Sequence, residues 1–345
     1  MDNNQIIKNL FKGTIPEKYD EFVNLINNIN FYFLYSNSDN NGYSFSSVPS
    51  QTPDSSHKIK FTEEGRKLLW LTSYEYGNLL FDERYSGIMS AIKCETLSEK
   101  QKLRLFTIHN CYGIRDMKDY PSEIQREVYD ILSDTSDKKE IVKSPSFLEY
   151  YEDNISRIEA DLNKFKQQYP NFWPSDIPAP DKIYEHSNDA RIKLALFALS
   201  YVLLHEINHC INNHPLQEFE ASKSRVQEKD CDKFATNFIT SNVKDYFDIN
   251  LDNLVLLRCL GCWFGFLFIM EDTGRLKSEF YPELRERAWI ILNVAESLIK
   301  DNNDHFWIIC ATTLYAKLRN LGVCLPEQYA SAKDLAQGLL INLRT

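Results

Sequence analysis

Two histidines four residues apart, with a glutamate beside the first, stand at His205-Glu206-Ile207-Asn208-His209. On an α-helix, residues i and i+4 lie one above the other on the same face, so both imidazoles can bind one metal ion at about 2.0–2.1 Å. Glu206 sits one step round the helix and can reach a water beside that metal. Metal-assisted hydrolysis of an amide needs this spacing. A zinc with three protein ligands keeps one position open, lowers the pKa of water there to about 7, and requires an adjacent carboxylate to take the proton as the water attacks. By chance, at average residue usage, H-E-x-x-H arises in a chain of this length on the order of once in a hundred cases.

The third ligand decides the branch. A metzincin-type continuation puts Gly at position 212 and His at 215, where this chain has Asn212 and Pro215, and His214 is off by one. The alternative is a glutamate from a following helix. Glu228 stands 19 residues after His209 and is followed by Asp232 and Ala235 at i+4 and i+7. These three share one helix face: a carboxylate ligand in Glu228, a second carboxylate in Asp232 that can orient the ring of either His205 or His209, and a small residue that permits close helix approach. Glu218, Glu220 and Asp230 are nearby, but none combines the distance with a partner at i+4. The histidines at 57, 109, 186 and 305 are isolated and read as ordinary surface or core residues.

The helix carrying the pair has a clear start: Ser187-Asn188-Asp189 offers caps for a helix running to about Asn213. Its stretch from Leu194 to Leu204 is apolar nearly all round, the pattern of a helix buried on most faces. Pro215 opens a second helix with a charged surface, over 215–241. Thr62, followed by Glu63 and Glu64, caps a helix through Phe81, and further helices are expected over 98–109, 121–133, 147–168, 282–300 and 303–320. The polar stretch 133–146 and the proline-rich stretch 169–181 are boundaries. Aromatic runs at Phe31–Tyr35 and Tyr43–Ser47 flank Asn40-Asn41-Gly42, which predicts a β-hairpin. The run Leu254–Met270 is 17 residues broken by Arg258, and its uninterrupted part covers 12. That is short of the roughly 20 needed to span a bilayer, so it reads as a buried core helix, with Cys259 and Cys262 as core thiols and not a redox pair. A membrane-embedded protease is the rival.

The 345 residues include only 11 glycines, about half the usual fraction, which points to a predominantly α-helical α+β protein. The net charge of −10 has the wrong sign for direct nucleic-acid binding. Eight scattered cysteines, several in apolar runs, read as reduced thiols. With no basic and apolar leader visible after Met1, the expected compartment is the cytoplasm. Two regions are expected: an α+β region over 1–140 that recognises a substrate or partner, and a helical zincin-like region over 141–345.

The residues His205-Glu206-x-x-His209, Glu228-x-x-x-Asp232 and Phe234-Ala235 resemble the gluzincin metallopeptidases, in particular the branch holding the CAAX prenyl proteases and related heat-shock proteases. That branch carries a later H-P-x-x-x-x-R element whose histidine is taken to steady the tetrahedral intermediate. Here the same spacing reads Tyr281-Pro282-Glu283-Leu284-Arg285-Glu286-Arg287, with tyrosine in place of histidine. The resemblance implies that Tyr281 donates a hydrogen bond to the oxyanion, as a phenol can, while Arg287 fixes the segment carrying it. The proline-rich approach and Glu228-Lys229-Asp230-Cys231-Asp232 are similar to the Lit-type phage-exclusion peptidases, over about 187–290. That similarity implies a bacterial cytoplasmic zinc protease acting in phage defence on a host translation factor. The expectation is therefore a zincin-like core with Zn2+ on His205, His209 and Glu228, Glu206 as base, Asp232 behind the ligands, and a protein as substrate. The other rival is a metal-free regulatory protein whose H-E-x-x-H is structural.

Overall fold

The computed structural model describes residues 3–28, 31–36, 45–48, 57–81, 121–133, 146–175, 177–180, 189–214, 221–243, 251–274, 276, 281–299, 304–319, 323 and 332–341. Helices α1 (Asn3–Thr14) and α2 (Tyr19–Asn28) lead into strands β1 (Phe31–Ser36), β2 (Phe45–Val48) and β3 (His57–Thr62). Then come α3 (Glu63–Phe81), α4 (Ser122–Ser133), α5 (Ser146–Gln168), α6 (Ala190–Ile211), α7 (Ala221–Thr240), α8 (Leu251–Asp272), α9 (Tyr281–Leu298), α10 (Asp304–Arg319) and α11 (Ala332–Ile341). The fold is predominantly helical with a small sheet, as the composition predicts.

α6 is the central element, packed by α8, α7, α3, α1 and both β2 and β3. Asp189 caps its start, the side chain accepting from the Arg191 backbone N–H at 2.9 Å. The apolar stretch is covered on most faces, with Leu194, Ala198 and Tyr201 to Leu204 fully buried and Leu196 and Leu199 half-buried. The partner that comes closest is α8. A Cβ built on Gly261 would lie 2.3 Å from Phe197 Cβ, and one on Gly265 would lie 2.6 Å from Tyr201 Cδ1. Only glycine at both positions allows this approach. In its apolar 18-residue window α8 is 78% buried within the protein, which is the environment of a core helix. Cys259 and Cys262 are free, buried thiols, and burial pushes Cys259 up to about 12, so the pair has no thiolate for redox chemistry.

β1 and β2 fall where the aromatic runs predict, but they do not pair as a hairpin, and a third strand, β3, is added to them. β3 lies between the other two, parallel to β1 and antiparallel to β2. The reason is that β3 competes for both partners: its Ile59 and Phe61 alternate inward and meet Ser47 and Phe45 of β2. The predicted Asn40-Asn41-Gly42 turn lies outside the described residues, as does the helix expected over 98–109. Within β2, alternation turns Phe45 and Ser47 towards the core; Phe45 packs edge-on against Phe268 of α8 at 5.5 Å. Thr62 caps α3 by accepting from the Gly65 N–H at 3.0 Å, as its position predicts.

One hydrophobic core runs from Ile7 to Leu340 and includes N-terminal and C-terminal helices alike. Phe11 of α1 stacks on Phe22 of α2 at 3.7 Å, and Thr14 Oγ1 lies 3.3 Å from Ser200 Oγ of α6. Arg258, wholly buried on α8, pairs with Glu17 and donates to the Ile239 carbonyl at 3.0 Å, tying the α1–α2 connection to α7 and α8.

Candidate metal centre

The C-terminal half of α6 meets the middle of α7, and α9 also packs against α7. α6 supplies His205, Glu206 and His209; α7 supplies Glu228, Cys231 and Asp232; α9 supplies Arg287. The structure brings together His205, His209 and Glu228. His205 Nε2 lies 3.2 Å from His209 Nε2 and 3.3 Å from Glu228 Oε2, and His209 Nε2 lies 3.6 Å from Glu228 Oε1. Ligand distances of 2.0–2.1 Å in a tetrahedron give an edge of roughly 3.3 Å, so one ion can be reached by all three atoms. A cation placed among the three atoms would take over the role of the proton that otherwise lies between His205 Nε2 and Glu228. The donor set therefore fits a zinc ion.

Behind these atoms stands Asp232, with no solvent exposure. It accepts from Tyr201 Oη at 2.7 Å, from Arg287 Nε at 2.5 Å and Nη2 at 3.1 Å, and lies 3.0 Å from His205 Nδ1. Of the two rings open to it from the spacing, Asp232 takes His205. With Nδ1–H directed at Asp232, Nε2 faces Glu228, carrying a proton while no cation is bound and free to give a lone pair to a cation that replaces that proton. Arg287 reaches Glu228 Oε2 at 2.9 Å and Glu283 Oε1 at 3.2 Å through Nη1. Its guanidinium thus joins α9 to two carboxylates of α7. Tyr281 opens α9, six positions before Arg287, but its side chain lies outside the described residues.

The electrostatics follow from burial set against these pairings. Burial alone would push Glu228 and Asp232 upward, but the Arg287 charge and His205 outweigh it and hold both below the usual carboxylate range. Burial lowers His205, yet its bonds to Asp232 and Glu228 prevail and raise it to about 9. For His209, burial and the charge of His205 outweigh the pull of Glu228 and lower it to about 3. Glu206 is pushed up by burial, with Glu228 and Asp272 adding to it, against His205 and a hydrogen bond from Ser47.

Four neighbours were not picked out as site residues by the motif. Tyr201 lies four residues before His205 on the same face, a spacing that could have marked it. Ser47, from β2, reaches Glu206 only through the tertiary fold. Cys231 forms with His205 and His209 a second group able to hold a metal, the three donor atoms lying within 4.8 Å of one another. Its thiol accepts from Asn208 Nδ2 at 3.4 Å, and burial raises it far above the range in which it ionises. His214, set aside for being off by one, lies with its Nδ1 3.0 Å from His209 Nδ1. Burial lowers its pKa.

Comparison with known proteins adds the lineage. The sequence profile of Peptidase U49 matches residues 119–310, a span that contains every residue of the site except Ser47. A cell death peptidase of Escherichia coli (strain K12) is 26% identical over 112 residues, which cover 32% of this chain. The match spans about a third of that relative's length, 34%. No solved structure matches. With more than half of its length matched, and with the resemblance to Lit-type peptidases pointing the same way, the chain belongs to the Peptidase U49 family of peptidases.

Proposed function

We propose that this chain is a zinc-dependent endopeptidase in which His205, His209 and Glu228 hold the metal. The observation that carries the reading is the set of 3.2, 3.3 and 3.6 Å separations among their donor atoms, on helices fixed by a buried core. Zinc in this position supplies a Lewis acid and a water acidic enough to lose a proton near neutral pH. Glu206, next to the first ligand on the same helix, is the carboxylate that would accept a proton from that water. Ser47 holds Glu206 in place from the sheet, and Asp232 fixes the tautomer and the plane of His205. Arg287 keeps Asp232 and Glu228 ionised and anchors the start of α9, where Tyr281 donates to the oxygen that gains charge in the transition state. Among the described residues, His205, His209 and Cys231 form a competing ligand set; the 3.3 and 3.6 Å separations of Glu228 from the two imidazoles, matching a tetrahedral edge, are what favour the carboxylate.

The substrate class is protein, and the relative's description as a cell death peptidase fits a regulated cytoplasmic protease. A translation factor as target, and phage defence as the setting, rest on the Lit-type resemblance. The test is a comparison of new protein N-termini in bacterial cells expressing wild type or Glu206→Gln. Defined cleavages present only with wild type are expected. Identical N-terminal profiles, from variants equally folded, would contradict hydrolysis through Glu206.

A further inference from the structure

We infer that His214 is a positioning residue for the metal site: it accepts the Nδ1 proton of His209 and so fixes which nitrogen of that ligand faces the metal. The inference rests on the zinc reading above and extends it to a residue outside the H-E-x-x-H motif.

The placement begins with how α6 ends. Asn212 closes the helix, and Asn213 turns left-handed at φ +50°. The Asn213 N–H donates to the Cys210 carbonyl at 3.1 Å and the His214 N–H to the His209 carbonyl at 2.9 Å. This pair of bonds is a Schellman motif, which folds the second residue past the cap back over the residue five positions earlier. In most such motifs an apolar contact joins those two positions. Here both are histidines, with ring centroids 5.1 Å apart and the two Nδ1 atoms 3.0 Å apart.

One hydrogen sits between two nitrogens at that distance, and the surroundings assign it. His209 Nε2 faces the donor cluster, 3.2 Å from His205 Nε2 and 3.6 Å from Glu228 Oε1, so it must offer a lone pair to a cation there. The proton of the neutral ring is then on Nδ1, and His214 Nδ1 is its acceptor. The two ligands are thus held by different partners: His205 by a buried carboxylate, His209 by a neutral imidazole. The second adds no charge to a site where Asp232 and Glu228 already face a single guanidinium. Cys231 Sγ, 3.9 Å from His214 Nδ1, lines the same side of the ring.

The test compares zinc affinity, by competition with a chromophoric chelator, for full-length wild type, His214→Leu and His214→Asn. Leucine keeps bulk without an acceptor, whereas asparagine places an oxygen where Nδ1 stands. Loss of such an outer partner typically weakens metal affinity about 10–100-fold, and this is expected of His214→Leu, with His214→Asn recovering most of it. In 15N spectra of the zinc-loaded wild type, His209 should carry its proton on Nδ1 and His214 on Nε2. Equal affinity in wild type and His214→Leu would overturn the inference. So would an asparagine variant as weak as leucine, or the opposite tautomers. A wild type that takes up no zinc would instead overturn the metal reading itself, and this inference with it.

Discussion

Replacing Arg287 with methionine removes the guanidinium that pairs with Asp232 and Glu228 while keeping much of the apolar volume of its stem. Arg287 and Asp232 have no exposure, so neither carboxylate oxygen facing the lost charge can turn to water. Breaking a buried ion pair from one side costs about 3–5 kcal/mol, because the partner charge remains uncompensated. Bonds to charged groups are worth about 1.5–3 kcal/mol each. Four such contacts at 2.5, 3.1, 2.9 and 3.2 Å place this case at the upper end of the pair range, since they share one donor and do not add. The assay is urea denaturation at pH 7 with a chelator present, so that bound metal does not add to stability. The expected loss is about 4–5 kcal/mol, a large part of the roughly 5–15 kcal/mol of a typical domain. The double variant Arg287→Met/Asp232→Asn should lose less than the sum of its single changes, with a coupling of about 1–3 kcal/mol. A loss under about 1 kcal/mol for Arg287→Met, or strict additivity, would refute the reading of a desolvated charge cluster.

Other expectations are independent of that cluster. Glu206→Gln should keep zinc content and thermal stability but remove hydrolysis, because an amide of nearly the same shape cannot take a proton from water; metal content and melting temperature are measured beside N-terminal profiling. Gly265→Ala puts a methyl 2.6 Å from the Tyr201 ring. Overpacking of about 1–3 kcal/mol then outweighs a helix-propensity gain of at most about 1 kcal/mol, and melting should fall. Gly13→Ala, with nothing within 4 Å, should instead raise it, by about 0.4–1 kcal/mol. Glu271, half-buried and pushed up by desolvation yet held down to about 2 by Lys317 and Lys166, contributes stability that is complete above its unfolded value of about 4.5 and is lost as pH falls towards 2. With its side chain 30% exposed, screening leaves about 1–2 kcal/mol of this, so Glu271→Gln should be less stable at pH 7 and converge on wild type near pH 2.

How much of this was readable in advance depended on whether the signal was local. The metal helix announced itself by a cap, an unbroken apolar run and an i,i+4 pair, all properties of one continuous segment. Glu228 and Asp232 were legible for the same reason, since their spacing gives them one face of the next helix. The sheet was not. His57-Lys58-Ile59-Lys60-Phe61 alternates correctly but runs straight into the Thr62 cap without a turn to bound it, and it carries none of the Asn-Gly turn chemistry that marks the two aromatic runs as a hairpin. Strand order is a choice among distant partners, and nothing in β1 or β2 alone reveals that a third strand lies between them. Gly261 and Gly265 stood in plain view inside a run noticed for its cysteines, yet their use depends on Phe197 and Tyr201, some sixty residues earlier. His214 was discarded by a motif that counts positions along a continuing helix, whereas here the chain reverses at Asn213 and returns the ring to His209.

The central claim is a single zinc held by α6 and α7. Its most direct test is metal analysis by mass spectrometry of protein purified without added metal, on wild type, His205→Ala and Glu228→Ala side by side. One zinc per chain is expected in the wild type and near none in either variant. A wild type free of zinc, or variants that retain it fully, would contradict the account.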